Sequence, residues 1–476
     1  MAVKRNKLIR DYAKAIREGN AAIFGGAGLS RPSGYVDWKE LLRPLATDIG
    51  LNIDKENDLL KVAQFCQNKN GRPCINRAIQ EAFSKDLKIN TNIKILSHLP
   101  IFTYWTTNYD ELLEKGIREA NRNPDVKSES AQLSNMKPDR DAIVYKMHGD
   151  VNNPAQAVLT KADYELYEYR RPLFRTALKG DLVSKVFLFI GFSFEDPNLD
   201  YILSQIHSLL GENVPSHYCF FKRVQRNEFT NDEEFGYQRA KQDMQENNLC
   251  KYGIQTVFVD SYDEITDILL DIEKETKLRN VFISGSAHVY NEPWDTQKAE
   301  DLARELAGAL VKEDCRITSG FGLGIGSSII NGALEVIYAK KFRHIDEHLC
   351  LRPFPQNISN PDARASRWRE YRESMISETG ISIFMFGNKY DQNTKCVDIA
   401  DGCMDEFKIS KKNNNIIIPI GSTGYAAYNI WKEVKENISE YPYLSEFIDR
   451  LGSEKDINQI VLTVLDIVRK QQTGQS

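Results

Sequence analysis

The chain has 476 residues, of which 41% are hydrophobic and 27% charged, the balance of a globular protein and not of a disordered one. That length exceeds one ordinary core and predicts two α/β domains of roughly 200–280 residues each. A net charge of −5 excludes the strongly basic surface of a general nucleic-acid binder, and no apolar run reaches the roughly 20 residues that span a bilayer.

The N-terminal stretch MAVKRNKLIRDYAKAIREGN carries positive charge but no apolar core of a signal peptide, so it reads as an amphipathic helix over residues 4–18. Ala21–Phe24 is a short buried strand. Asp37 can cap the next helix, with Glu40 at its third position, an apolar stripe of Trp38, Leu41, Leu42, Leu45 and Ile49, and Gly50 at its end. Further strands are expected at Ile101–Thr107, Ala142–Met147, Lys185–Ile190, His217–Lys222 and Ile254–Val259, with a polar helix over 232–248. Ser261-x-x-Glu264 opens a helix running to about Lys277, and the domain junction is placed near residues 276–280. The expected division is 1–278 and 279–476, each an α/β Rossmann-like domain with a parallel sheet covered by helices.

The second half repeats one device four times: a hydrophobic strand ends in small or polar residues at 281–286, 316–328, 381–389 and 415–424. In open parallel sheets ligands bind beyond the carboxyl ends of the strands, so four such edges form a nucleotide-sized crevice. The eight cysteines contain no C-x-x-C pair, which argues against a zinc ribbon or a thioredoxin-type site. They read as small core residues of a protein in a reducing cytoplasm, with no metal expected.

Gly25-Gly26-Ala27-Gly28-Leu29-Ser30 follows a strand, and its glycines would let backbone N–H groups approach a pyrophosphate. The third glycine of G-x-G-x-x-G is missing, since Arg31 stands there, and no Walker lysine follows, so an ordinary tight turn is the competing reading. Three more strand ends carry chemistry: Thr106-Thr107-Asn108-Tyr109-Asp110, Lys146-Met147-His148-Gly149, and Gly191-Phe192-Ser193 before Asp196-Pro197. Taken singly, Asn108 is a helix cap and His148 a structural histidine. In this order and spacing, over roughly residues 10–270, they resemble the sirtuin family. GAGLS resembles its GAGxS loop, SGYVDW its SGIPDF stretch, TTNYD its TQNID, MHG its LHG and GFS its GTS.

The resemblance implies NAD as substrate, bound by Gly26, Ala27, Gly28, Ser30, Asp37, Asp110, Gly191 and Ser193, with Asn108 and His148 catalytic. Asn108 would hold ribose hydroxyls or a water, and His148 would act as general base. Two departures matter. No cysteine lies between Cys74 and Cys219, where sirtuin deacylases carry a zinc module, and no FGE stretch for an acyl-lysine peptide is found. Water is then the expected acceptor and the reaction NAD⁺ hydrolysis to ADP-ribose and nicotinamide. A sirtuin-type deacylase and a catalytically silent nucleotide-binding oligomerisation module are the alternatives.

In the second half, Ser319-Gly320-Phe321-Gly322-Leu323-Gly324-Ile325-Gly326-Ser327 precedes a helix, and Arg364, Arg367, Arg369 and Arg372 share another, with Lys389 after a strand. Alternate glycines and arginines suit phosphate, although a solvated basic face explains Arg364, Arg367 and Arg369 as well. This half resembles the SLOG family of nucleotide-sensing domains, without its PGGxGTxxE enzyme signature, so a sensor role is expected. The two halves together resemble the effectors of the Thoeris antiphage system. That implies activation by a cyclic ADP-ribose-type signal from a partner TIR-domain cyclase, and assembly as a homotetramer or higher oligomer. The implied signal pocket uses Gly285, Ser286, Gly320, Gly322, Gly324, Arg372, Lys389 and Glu406.

Overall fold

Short, almost wholly apolar runs become parallel strands when helices cover both faces of the sheet. The computed structural model describes residues 3–473 apart from 195, 212–214, 340–343, 356–357 and 392–394. The chain forms two compact units, 1–273 and 274–476. The division falls inside the helix Asp263–Lys277, a few residues before the expected junction. Ile265, Ile268, Leu269 and Ile272 of that helix belong to the first core, and Leu278 just beyond it belongs to the second.

The first unit has seven parallel strands: β1 (Ala21–Gly25), β2 (Thr103–Thr106), β3 (Pro124–Lys127), β4 (Ala142–Lys146), β5 (Val186–Ile190), β6 (His217–Lys222) and β7 (Ile254–Val259), in the order β3-β4-β2-β1-β5-β6-β7. Alternate residues enter two cores. Ile23, Tyr104, Val144 and Leu188 face one layer of helices, while Ala22, Phe24, Trp105, Phe187 and Phe189 face the other. Each fully buried Ile, Leu, Val or Phe among them contributes roughly 1.5–3 kcal/mol. The chain leaves β1 towards β2 on one side and later returns to β5 on the other, so β1 is a switch point where a crevice opens. Gly25 pairs with both Thr106 and Ile190, and Thr106 with Lys146, so four loops leave the sheet from one row of residues.

The second unit has a five-stranded parallel sheet: β8 (Asn280–Ser284), β9 (Arg316–Ser319), β10 (Leu349–Leu351), β11 (Ile381–Phe384) and β14 (Ile416–Pro419), ordered β10-β9-β8-β11-β14. The four strands expected from sequence are neighbours. A polar antiparallel ribbon, β12 (Asn388–Asp391) with β13 (Cys396–Ile399), was not expected, nor were the edge strands β3 and β10. None of the eight cysteines forms a disulfide, and Cys66, Cys219, Cys315 and Cys403 are buried. No helix among the described residues is long and apolar enough to cross a membrane.

Candidate functional site

The loops after β1, β2, β4 and β5 enclose a cleft of about 460 Å³, a volume suited to a small ligand. Of the ten residues expected around the dinucleotide, nine line it: Ala27, Gly28, Ser30, Asp37, Asn108, Asp110, His148, Gly191 and Ser193. Gly26 lies beneath the surface, and its carbonyl accepts the Asn108 amide (3.0 Å).

The glycines act differently from the sequence expectation of free N–H groups. Gly26 N donates to Ile190 O and Gly28 N to Gly191 O, both at 2.9 Å. A Cβ at Gly26 would lie 2.3 Å from Gly191 O, and one at Gly28 would lie 2.8 Å from Gly191 Cα. Gly191 itself has φ +65°, and a side chain there would meet Leu29 N at 2.1 Å. These glycines let the β1 loop lie directly on the β5 loop.

The Asn108 loop is tied down at several points. Thr106 Oγ1 donates to Gly25 O (2.8 Å) and accepts Asn108 N (3.0 Å), while Asn108 Nδ2 also reaches Ser30 Oγ (2.9 Å). Beneath it, the fully buried Lys146 Nζ donates to Tyr109 O (3.1 Å) and Asp110 O (2.7 Å) and pairs with Glu114 (3.0 Å) and Asp150. One ammonium thus joins the Asn108 loop to the His148 turn. Burial pushes the Asp110 carboxyl up, against the opposing pull of the Leu112 N–H and Lys146, and its Oδ2 has no partner.

His148 is buried against Tyr164 and Tyr167, whose rings meet it edge-on. Its Nε2 lies 3.0 Å from Asp196 Oδ2, close but out of line for a hydrogen bond. Burial raises the Asp196 carboxyl, but the His148 charge and the donors Leu199 N and Tyr164 OH outweigh it and hold the group below its ordinary range. Sequence reasoning took Asp196 only as a helix starter, gave Lys146 no role beyond leading into the MHG stretch, and did not single out Tyr164. Asp37 caps the helix Trp38–Asp48 by accepting Glu40 N (2.9 Å). Glu40 does not complete the box but binds Arg43. Trp38, expected at the cleft or in the core, lines the cleft with a buried Nε1 that has no partner.

In the second unit, Glu406 Oε2 accepts Ser284 Oγ (2.6 Å) and Oε1 accepts Arg372 Nε (3.3 Å), while the guanidinium lies over the Phe354 ring (4.9 Å). Burial holds Glu406 above the ordinary carboxylate range despite both donors. Ser286 Oγ donates to Asn388 O (3.1 Å), and neighbouring Lys389 pairs with Asp401, next to Gly402, whose Cβ would touch Arg372. These side chains form one cluster at the carboxyl ends of β8 and β11. Arg364, Arg367 and Arg369 are exposed.

The glycine loop again has its own steric reasons. A Cβ at Gly285 would meet Met385 O (2.5 Å), at Gly320 the Phe354 ring (2.8 Å), at Gly322 Gly285 O (1.8 Å) and at Gly324, with φ +83°, Ala287 O (2.2 Å). Counting glycines therefore does not argue for a ligand here. Among the described residues, no group of three or more His, Cys, Asp or Glu is placed to hold a metal.

Comparison with known proteins divides the chain in the same sense. The profile of a SIR2-like domain matches residues 103–255, and that of the Sir2- and TIR-associating SLOG family matches residues 264–471. Relatives that bear the name NAD(+) hydrolase ThsA include three from different bacteria. That of Bacillus cereus (strain MSX-D12) is 44% identical over 97% of both chains. That of Enterococcus faecium is 43% identical over 98% of both. That of Cytobacillus dafuensis is 42% identical over 100% of this chain and 98% of its own.

Proposed function

Since the chain belongs to the ThsA family of NAD(+) hydrolases, we propose that the cleft at the β1 switch point binds NAD⁺ and hydrolyses it to ADP-ribose and nicotinamide. The observation that carries this reading is the convergence of Gly28, Asn108, His148 and Ser193 on one cleft. The pyrophosphate lies along Ala27 and Gly28, and the adenosine ribose by Gly191 and Ser193. Asn108 holds the nicotinamide ribose or the attacking water, its amide kept in place by Gly26 O and Ser30 Oγ. The C1′–N1 bond breaks with oxocarbenium character, so placement and electrostatics matter more than a strong nucleophile. Water then bonds to C1′ and gives its proton to His148.

The division of labour follows: residues 1–278 hydrolyse NAD⁺, and residues 279–476 sense a nucleotide. The sensor site is the cluster of Ser286, Arg372, Lys389 and Glu406 with the backbone at Gly285, Gly320, Gly322 and Gly324. An arginine and a lysine beside a buried carboxylate suit a molecule with both phosphates and hydroxyls. A cyclic ADP-ribose-type signal made by a TIR-domain cyclase fits that chemistry, with a homotetramer or larger oligomer acting in the cytoplasm in Thoeris antiphage defence.

The experiment is nicotinamide release from NAD⁺ by the full chain, with and without a panel of cyclic ADP-ribose isomers and acyl-lysine peptides. Release that depends on one isomer, ignores peptides and vanishes in His148→Ala supports the reading. Peptide-dependent turnover, or full activity in His148→Ala, contradicts it.

A further inference from the structure

We propose that Asp196 is the positioning residue of His148: its buried carboxylate fixes the imidazole tautomer and carries the charge partner for the imidazolium formed during NAD⁺ cleavage. This rests on His148 being the base, as proposed above. Asp196 sits outside every motif quoted for the cleft, yet it lies within 3.0 Å of the histidine ring.

The carboxylate is held from several directions. Oδ1 accepts Asn198 N (2.9 Å) and Leu199 N (3.1 Å) at the start of the helix Pro197–Leu210, and Oδ2 accepts Tyr164 OH (3.0 Å). It is 8% exposed and the histidine 5%, so water screens neither. The groups facing His148 from other elements are Asp196, Tyr164 and Tyr167, with Asn108 and Asp110 across the cleft. On its own strand end, Lys146 is engaged with both Asp150 and Glu114. Among the described residues, Asp196 is thus the carboxylate in contact with the ring. The contact is out of line for a hydrogen bond, and the proposal requires the pair to align in the Michaelis complex, where catalytic hydrogen bonds tighten.

The proton then has a defined route. As the C1′–N1 bond breaks, its electron pair leaves with nicotinamide. The water oxygen bonds to C1′, and the water proton passes to Nδ1 of His148, whose Nε2–H is held by Asp196. The carboxylate stays ionised throughout, and the imidazolium later releases its proton to solvent. A helix cap alone does not require this charge, because Asn caps as well as Asp.

That equivalence supplies the test: Asp196→Asn keeps the cap and an acceptor for Tyr164 while removing the charge. Nicotinamide release by the full chain is followed against NAD⁺ concentration and pH with the cyclic ADP-ribose panel present, alongside thermal melts. The expected result is a kcat lower by roughly 10–100-fold with KM within about twofold. The acid limb of the pH–rate profile moves to lower pH, the melting temperature is unchanged, and Asp196→Asn causes no further loss in a His148→Ala background. Wild-type kcat with an unmoved pH profile overturns the proposal, as does a loss that only tracks a lowered melting temperature. If His148→Ala itself retains full activity, the underlying reading of the base falls first, which separates the two failures.

Discussion

Replacing Lys146 by Met tests how the loops of the proposed active site are tied together. The ammonium is fully buried, and its partners Glu114 and Asp150 are only 2% and 9% exposed, so solvent screening is weak. Removing one member of such a buried pair costs about 3–5 kcal/mol, because the remaining charges stay desolvated. A domain is stable by only about 5–15 kcal/mol in all, so the loss is large. It carries a pH signature as well. Burial holds the Glu114 carboxyl above its ordinary range, and Lys146 is what pulls it down. Without the lysine its folded-state pKa rises further. A group raised on folding stabilises below its unfolded pKa and loses that contribution as pH rises. The destabilisation of Lys146→Met is therefore smaller at pH 5 than at pH 8. Urea unfolding of the first unit, followed by Trp38 and Trp105 fluorescence, reads both quantities. Adding Glu114→Gln and Asp150→Asn restores more than half of the loss. A loss below about 1 kcal/mol, or one independent of pH, refutes the reasoning.

Gly191→Ala combines a positive φ with a backbone overlap at Leu29 N, so it destabilises by roughly 2–5 kcal/mol and lowers NAD⁺ turnover; a melt and an activity assay at wild-type values contradict this. His217 is wholly buried, its Nδ1 accepts Phe187 N, and burial lowers its pKa from 6.5 to about 4. A group depressed on folding stabilises above its unfolded pKa. The first unit thus loses about 3 kcal/mol between pH 6.5 and 4, and this part of the pH dependence is absent from His217→Gln. Arg372→Gln leaves the Glu406 carboxylate without its ion partner and removes the guanidinium proposed to hold a phosphate. The cyclic nucleotide concentration for half-maximal activation rises at least tenfold, about 1.4 kcal/mol, in a titration of nicotinamide release.

The strands legible in the sequence were those with continuous apolar runs, such as Val186–Ile190 and Ile416–Pro419, because burial on both faces leaves that pattern. The polar ribbon Asn388–Asp391 with Cys396–Ile399 was missed because its pattern is that of a loop, and Pro124–Lys127 because a proline-led edge strand looks like a turn. Motif residues Asn108, His148 and Ser193 could be read because each follows a strand end in order. Asp196 and Tyr164 could not, since their meeting depends on how the segment after β4 folds back over the loop after β5. The sequence reading gave the glycines the task of admitting a phosphate, and the structure shows a steric one. At Gly26, Gly28, Gly322 and Gly324 the chain needs room for its own backbone, and sequence alone does not separate that from room for a phosphate.

The most direct measurement is a crystal structure of the full-length Asn108→Ala variant soaked with NAD⁺. The account predicts the pyrophosphate along Ala27 and Gly28, the adenosine ribose beside Gly191 and Ser193, and the nicotinamide ribose within reach of His148. NAD⁺ bound elsewhere, or bound in this cleft with its nicotinamide end turned away from His148, contradicts it.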